Sequence, residues 1–202
     1  LLMKFKLPLW NGVKNKHFKQ KIIDLELLET SDRGIFKQKN TSLINYEKNY
    51  THMTSLNWKG FINKIRNKKA EFITKNIKNA RECLEIGAGD GHNIKILSWK
   101  NYTICDPFLQ SEKKKNIEII GGFFENIKFN KKYDTIIMFA VLEHCKNFNI
   151  FLKKAKQLLK PNGSMFIEIP IIEKHFLNGD FNCLLHEHTN YFSSKGIIQL
   201  LN

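Results

Sequence analysis

Residues 84–93 read LEIGAGDGHN, a run in which Gly87, Gly89 and Gly91 stand at alternate positions between Glu85 and Asn93. Glycines at that density let a backbone turn sharply and approach a ligand closely, because no Cβ blocks either. A loop that cradles a pyrophosphate uses the wider spacing GxGxxG and aims helix N–H groups at the phosphates, where a fixed anion would repel them. Here Glu85 closes the preceding apolar run and Asp90 sits inside the loop, so a diphosphate is disfavoured. A ligand with a cationic amine and a nucleoside but no phosphate suits the pattern. Glu85 can accept from the amine, Gly87, Ala88 and Gly89 can lie against the ligand, and Asp106, about 20 residues further on, can chelate ribose hydroxyls. S-adenosyl-L-methionine carries those groups and is the cofactor the residues predict.

Methyl transfer from a sulfonium is an in-line displacement, so the protein aligns the nucleophile and, for an alcohol or an acidic carbon, takes its proton. Histidine is the side chain suited to that task near neutral pH. Candidates are His144, in VLEH (141–144), and His186, Glu187 and His188, in LLHEHTNYF (184–192). In an extended backbone His186 and His188 would face one side and Glu187 the other. The alternatives are a structural histidine anchoring a turn at His144 and a surface or packing segment at 186–188. His175, His186 and His188, with Asp180 or Cys183, could assemble zinc or iron ligands, but their spacings match no closed motif and no metal is expected.

These residues need strands to hold them. Near-continuous apolar runs predict strands at 82–87, 102–106, 117–122, 133–140 and 164–170, buried on both faces as in a parallel sheet. Between the last two, Ile150, Phe151, Ala155, Leu158 and Leu159 share a helical face, and PNG (161–163) stops the helix. Over 55–77, Trp58, Phe61, Ile62, Ile65, Phe72 and Ile73 are spaced as an amphipathic helix. Residues 1–54 show no strong period and are read as an N-terminal extension able to act as a lid, in which YEKNYTHM (46–53) could supply aromatic contacts. The terminal SSKGIIQLLN reads as the start of a helix capped by Ser193 or Ser194. A sheet stopping there leaves an edge strand bare, so C-terminal edge strands are expected to be missing from this chain.

The ordered series Glu85-Ile-Gly87-Ala-Gly89-Asp-Gly91, Asp106, YDTIIMFAVLEH (133–144) and LLKPNGSMFIEIP (158–170) resembles the class I S-adenosylmethionine-dependent methyltransferases. The resemblance runs over about residues 82–202 and implies an α/β fold, a Rossmann-like doubly wound, mostly parallel sheet with flanking helices over 55–202. It also implies that Phe123 and Phe124 border the adenine and that Phe139 and Ala140 lie near the methionine moiety. Some members, among them small-RNA 2′-O- and ubiquinone-pathway O-methyltransferases, carry ExxEH after the fourth strand and use it for a divalent ion. Ala140 takes the first acidic place here, so metal-assisted chemistry is not expected. LLHEHTNYF is similar to the corresponding stretch of saccharide methyltransferases, although Leu185 replaces their tyrosine and their cysteine-rich zinc module is not visible. The implied acceptor is a sugar or nucleotide-linked sugar. An RNA methyltransferase and a catalytically silent cofactor-binding subunit are the alternatives.

Composition limits the remaining classes. A net charge of +14 invites a nucleic-acid partner, yet the lysines accompany Asn, Ile and Phe along the whole chain and form no basic stretch with interleaved aromatics. Nucleic acid is therefore not the expected partner, while anionic small substrates suit the charge. Cys83, Cys105, Cys145 and Cys183 form no CxxC pair and read as reduced thiols. LLMKFKLPLW is broken by Lys4, Lys6 and Pro8 and makes no signal core, so a cytoplasmic protein without a membrane span is expected.

Overall fold

A computed structural model describes residues 1–8, 22–32, 34–39, 59–77, 81–89, 91, 93, 97 and 100–202. Asp90, Trp58, the 46–53 stretch, and the side chains of Phe61 and Ile62 lie outside the described residues. The elements in chain order are β1 (Leu2–Pro8), β2 (Ile22–Glu29), β3 (Ile35–Gln38), α1 (Lys59–Asn76), β4 (Glu82–Ile86), β5 (Asn101–Asp106), β6 (Glu112–Lys114), β7 (Ile117–Gly121), β8 (Tyr133–Phe139), α2 (Phe148–Leu158), β9 (Leu159–Glu168), α3 (Ile172–Leu177), β10 (Asn190–Phe192) and α4 (Ser194–Leu201). Short 3-10 turns occupy Phe124–Asn126 and Leu142–His144. Contacts divide the chain into two units. The first comprises Leu1–Met53, Leu142–Lys146 and Ile169–Asn202; the second comprises Thr54–Val141 and Asn147–Glu168.

The second unit is built on a six-stranded sheet of order β6-β7-β5-β4-β8-β9, parallel throughout except for the antiparallel pairing of β6 with β7. Its core includes Ile73, Cys83, Tyr102, Ile104 and Ile137, all essentially inaccessible to water. Each large apolar side chain so buried contributes about 1.5–3 kcal/mol relative to exposure. The apolar runs at 82–87, 102–106, 117–122 and 133–140 form strands as expected. The helix before β9 buries Phe148, Phe151 and Ala155, whereas Ile150 is 62% exposed. Asn147 caps that helix by accepting from the Ile150 N–H at 3.2 Å, which turns Phe148 rather than Ile150 inward. The expected stop at PNG falls inside β9: the register against β8 shifts between Tyr133 and Thr135, and Asn162 takes φ 62°. A Cβ on Gly163 would stand 3.0 Å from the Lys160 carbonyl oxygen and 3.1 Å from that of Asp134, so a side chain there would crowd the bulge.

In the first unit β1, β2, β3 and β10 form a four-stranded sheet, with antiparallel pairs β1–β2, β2–β3 and β3–β10. The described part of residues 1–54, read as an N-terminal extension, holds the strands β1, β2 and β3. Residues 1–53 group with 142–146 and 169–202. Leu25 and Leu27 of β2 are fully buried and pack with Phe36, Ile172, Cys183, Leu184 and Tyr191, while Met3, Phe5 and Leu7 of β1 pack at the edge of that cluster. The alternation of apolar and charged residues in LMKFKLP is the half-buried strand pattern. Ser193 caps α4 through its hydroxyl, which accepts from the Gly196 N–H at 3.0 Å. Among the described residues no helix is long and apolar enough to cross a membrane.

Candidate active site

In the second unit the glycine turn leaves β4 with Gly87, Gly89 and Gly91 at φ 71°, 58° and 65°, a region that side chains with a Cβ rarely enter. Gly87 also has no room for one, since an added Cβ would lie 2.5 Å from Val141 Cγ2. The turn is tied to β5: the Gly87 N–H donates to the Cys105 carbonyl at 2.8 Å and the Gly89 N–H to Asp106 Oδ2 at 2.9 Å. The other oxygen of Asp106 accepts from the Phe108 N–H at 2.8 Å. This carboxylate, 3% exposed, therefore stands at the carboxyl end of β5 against the glycine turn, where the sequence expected a ribose ligand.

Glu85 is positioned differently from the expectation. It is 2% exposed, and its two oxygens accept from Asn93 Nδ2 and from the Tyr102 hydroxyl, each at 2.5 Å. A strand residue two places before the turn points into the layer that covers the sheet, so this carboxylate faces inward and braces the turn through Asn93 instead of projecting toward an amine. Burial, and after it the charge of Glu85, holds the Tyr102 phenol far above its ordinary range. Neither Tyr102 nor Asn93 is flagged by a sequence pattern; each reaches Glu85 only through the β4–β5 pairing and the turn.

The segment after β7 splits the two phenylalanines. Phe123 is 37% exposed at the carboxyl end of the sheet, while Phe124 is 3% exposed, with its ring centroid 4.6 Å from that of Phe151 and 5.5 Å from that of Phe129. Phe124 is thus core, and the expectation that it borders the adenine is corrected, while Phe123 stands exposed. Gly121 is paired with Asp106 across β5–β7, and the Gly122 N–H donates to the Asp106 carbonyl at 3.1 Å. The ends of β5 and β7 therefore form one continuous ledge. Beyond β8, Phe139 is half-buried with the Lys69 ammonium 5.3 Å from its ring centroid, and Ala140 is exposed at φ 53°.

In the first unit the 142–145 turn and the 183–192 segment meet. The Thr189 hydroxyl donates to the carbonyls of Glu143 and Cys145, and Asn190 Nδ2 to those of Leu142 and Cys145. His144 Nδ1 is 3.1 Å from the Glu187 carbonyl oxygen and His188 Nδ1 is 2.9 Å from that of Cys183, so a proton on Nδ1 satisfies each carbonyl. The two rings lie 4.9 Å apart, edge to face. Burial depresses the pKa of His144 to about 4, and burial followed by the neighbouring His144 depresses that of His188 to about 3, so both imidazoles are neutral at physiological pH. His186 is 6% exposed and likewise lowered by burial, whereas burial raises the Glu187 carboxyl.

The 185–188 backbone is a turn, with the His188 N–H donating to the Leu185 carbonyl at 3.0 Å, so the alternation expected for an extended run does not apply. Of the residues weighed as an alternative metal set, His175 pairs with Asp180 at 2.9 Å. Among the described residues the group able to offer converging ligand atoms is Glu143, His144 and His188, one atom from each lying within 4.8 Å of the others.

A family model for the methyltransferase domain matches residues 58–202. The chain is similar to (S)-coclaurine N-methyltransferase of Thalictrum flavum subsp. glaucum, with 26% identity over 106 residues covering 46% of this chain and 29% of that protein. It is also similar to ubiquinone biosynthesis O-methyltransferase of Pelagibacter ubique, with 30% identity over 117 residues covering 52% of this chain and 48% of that protein. The matched stretches span less than half the length of these two relatives. In fold it is similar to the crystal structure of N-methyltransferase NodS from Bradyrhizobium japonicum in complex with S-adenosyl-L-homocysteine. That match has a TM-score of 0.52 at 13% identity and covers 68% of this chain and 72% of that one.

Proposed function

The chain belongs to the methyltransferase-domain family, within the class I S-adenosylmethionine-dependent methyltransferases, and from that membership we propose that it transfers the methyl group of S-adenosyl-L-methionine to a small acceptor. The observation that carries the reading is the Asp106 carboxylate held against the Gly89 N–H of a turn with three glycines at positive φ. In this reading Asp106 exchanges backbone N–H partners for ribose hydroxyls, Gly87, Ala88 and Gly89 lie against the cofactor, and Glu85 holds the turn from inside. Phe123 borders the adenine, and Phe139 and Ala140 lie toward the methionine moiety. Titration with S-adenosyl-L-homocysteine tests it: saturable one-to-one binding is expected, and its absence from folded protein refutes the reading.

The acceptor we propose is a saccharide or a nucleotide-linked sugar, on the strength of the LLHEHTNYF run and the charge of +14. The neutral imidazole of His144 or His188 takes the proton released by the acceptor hydroxyl or acidic carbon, with His186 and Glu187 shaping the surroundings. Incubation with methyl-labelled cofactor and panels of nucleotide sugars and RNA separates the acceptors. Label in RNA alone replaces the saccharide reading, and binding without turnover on any acceptor points to a silent subunit.

One observation favours a second reading, metal-assisted transfer: the convergence of Glu143, His144 and His188. Two histidines and a carboxylate are a donor set suited to a divalent transition ion, and carbonyl partners on Nδ1 orient histidines as ligands. Such an ion would supply Lewis-acid polarisation of an acceptor oxygen. Metal analysis after dialysis decides it: near-stoichiometric zinc or iron, lost in His188→Gln, supports this reading, and metal-free protein with full activity refutes it.

A further inference from the structure

We propose that Lys154 is a positioning residue for the nucleoside end of the cofactor, fastening the Phe124–Asn126 turn that forms the floor of the adenine position. The proposal rests on the reading of the second unit as an S-adenosylmethionine site, and it concerns a residue on α2, which carries none of the motif residues.

Lys154 Nζ donates to three backbone carbonyls, those of Phe124 at 2.6 Å, Glu125 at 3.0 Å and Ile127 at 2.6 Å. It also stands 4.9 Å from the ring centroid of Phe124 and 5.7 Å from that of Phe129. An ammonium has three donors and no acceptor, and here all three protons have a carbonyl to meet. A planar guanidinium directs its donors in a fixed fork and cannot serve three carbonyls curving around one point in the same way. The Ile127 N–H closes the turn on the Phe124 carbonyl, so the ammonium and the backbone share that acceptor. Three residues before Lys154 on the same helix, Phe151 seats the Phe124 ring. Side chains three apart share a helix face, so one face of α2 grips both the ring and the carbonyls of the turn.

What the turn displays on its other side follows from burial. Phe124 is buried, while Phe123, Glu125 and Asn126 are exposed. One residue, Phe123, separates the turn from Gly121 and Gly122, which are bonded to the end of β5 where Asp106 sits. A ribose held by Asp106 places its base along this ledge, against Phe123 and the backbone of Glu125 and Asn126. Without the ammonium the three carbonyls lose a common partner beside a buried ring, and the ledge must reorganise before a base can lie on it. Preorganisation of this kind acts on affinity for the part of the ligand that touches the ledge and leaves the rest unchanged.

The test compares two ligands in calorimetric titration, S-adenosyl-L-homocysteine and 5′-methylthioadenosine, which has the nucleoside but no amino acid. Lys154→Met is expected to bind both more weakly by the same factor, roughly tenfold, with Lys154→Arg recovering part of the loss and Lys156→Met, on the exposed face of α2, behaving as wild type. Lys154→Met with unchanged affinity for both ligands and only a lowered unfolding midpoint would show a merely structural role and overturn the proposal, as would a loss confined to S-adenosyl-L-homocysteine. Should Lys154→Met fail to fold, the Lys154 Nζ resonance of the wild type supplies the measurement: a shift on addition of 5′-methylthioadenosine supports the assignment, and an unmoved resonance overturns it. Wild-type protein that binds neither ligand refutes the cofactor reading itself, which is distinct from binding that does not depend on Lys154.

Discussion

Lowering the pH from about 7.5 to about 5 protonates the imidazoles of the unfolded chain but not those of His144 and His188, whose pKa values burial holds near 4 and 3. Above the ordinary histidine value both folded and unfolded states keep these rings neutral, and stability is at its full level. As the pH falls from there toward the folded values, the unfolded chain binds protons that the folded chain refuses, and stability drops. Linkage from an unfolded pKa of about 6.5 sets the loss at about pH 5 at roughly 2 kcal/mol for each ring. His186, also lowered by burial, adds to the loss, while the raised Glu187 carboxyl offsets part of it, because its folded form is favoured as the pH falls. A difference experiment isolates the pair: urea unfolding at both pH values for wild type, His144→Gln and His188→Gln, with ring Cε1–H resonances followed in parallel. Each variant is expected to recover roughly 2 kcal/mol of the acid loss, and the two resonances are expected to titrate with midpoints near pH 4 and 3. Resonances titrating near the ordinary histidine value would refute the inference that these rings are buried and neutral.

Gly87→Ala places a methyl 2.5 Å from Val141 Cγ2 at φ 71°, so it is expected to cost about 1–3 kcal/mol of stability and to abolish cofactor binding; Val141→Ala in the same chain should restore part of the stability but not the backbone strain. Tyr102→Phe removes the hydroxyl that donates to the buried Glu85 carboxylate and is expected to destabilise by about 1.5–3 kcal/mol in urea unfolding; a loss below half a kcal/mol would show that the carboxylate finds another donor. Asp106→Asn keeps the size of the side chain but replaces one acceptor with a donor facing the Gly89 or Phe108 N–H, so affinity for S-adenosyl-L-homocysteine is expected to fall at least about tenfold. Unchanged affinity in calorimetry would remove Asp106 from the site.

The features legible in the sequence are those that neighbouring residues decide. Continuous apolar runs mark β4, β5, β7 and β8 because a strand covered on both faces can tolerate little else, and the alternate glycines mark the turn because its φ values exclude side chains. The two-residue alternation of β1 was equally present in LMKFKLP, yet three charged or turn-forming residues among the first eight hid it as an extension. PNG is ambiguous for a related reason: Asn162 at positive φ could end a helix or kink a strand with the same chemistry, and only the pairing of β9 with β8 decides which.

The sequence alone determined a parallel α/β sheet, a tight turn with three alternate glycines, and a carboxylate at the end of the next strand, since periodicity, backbone dihedrals and chain order suffice for those. Tertiary structure decided which side chains meet. It turned Glu85 inward to Tyr102 and Asn93, buried Phe124 while leaving Phe123 out, brought His188 to His144 across 44 positions of chain, and set Lys154 under a turn 27 to 30 residues before it. Those meetings depend on strand order and on which face a helix presents, and a linear pattern carries neither, because residues distant along the chain share no local constraint until the sheet has closed over them.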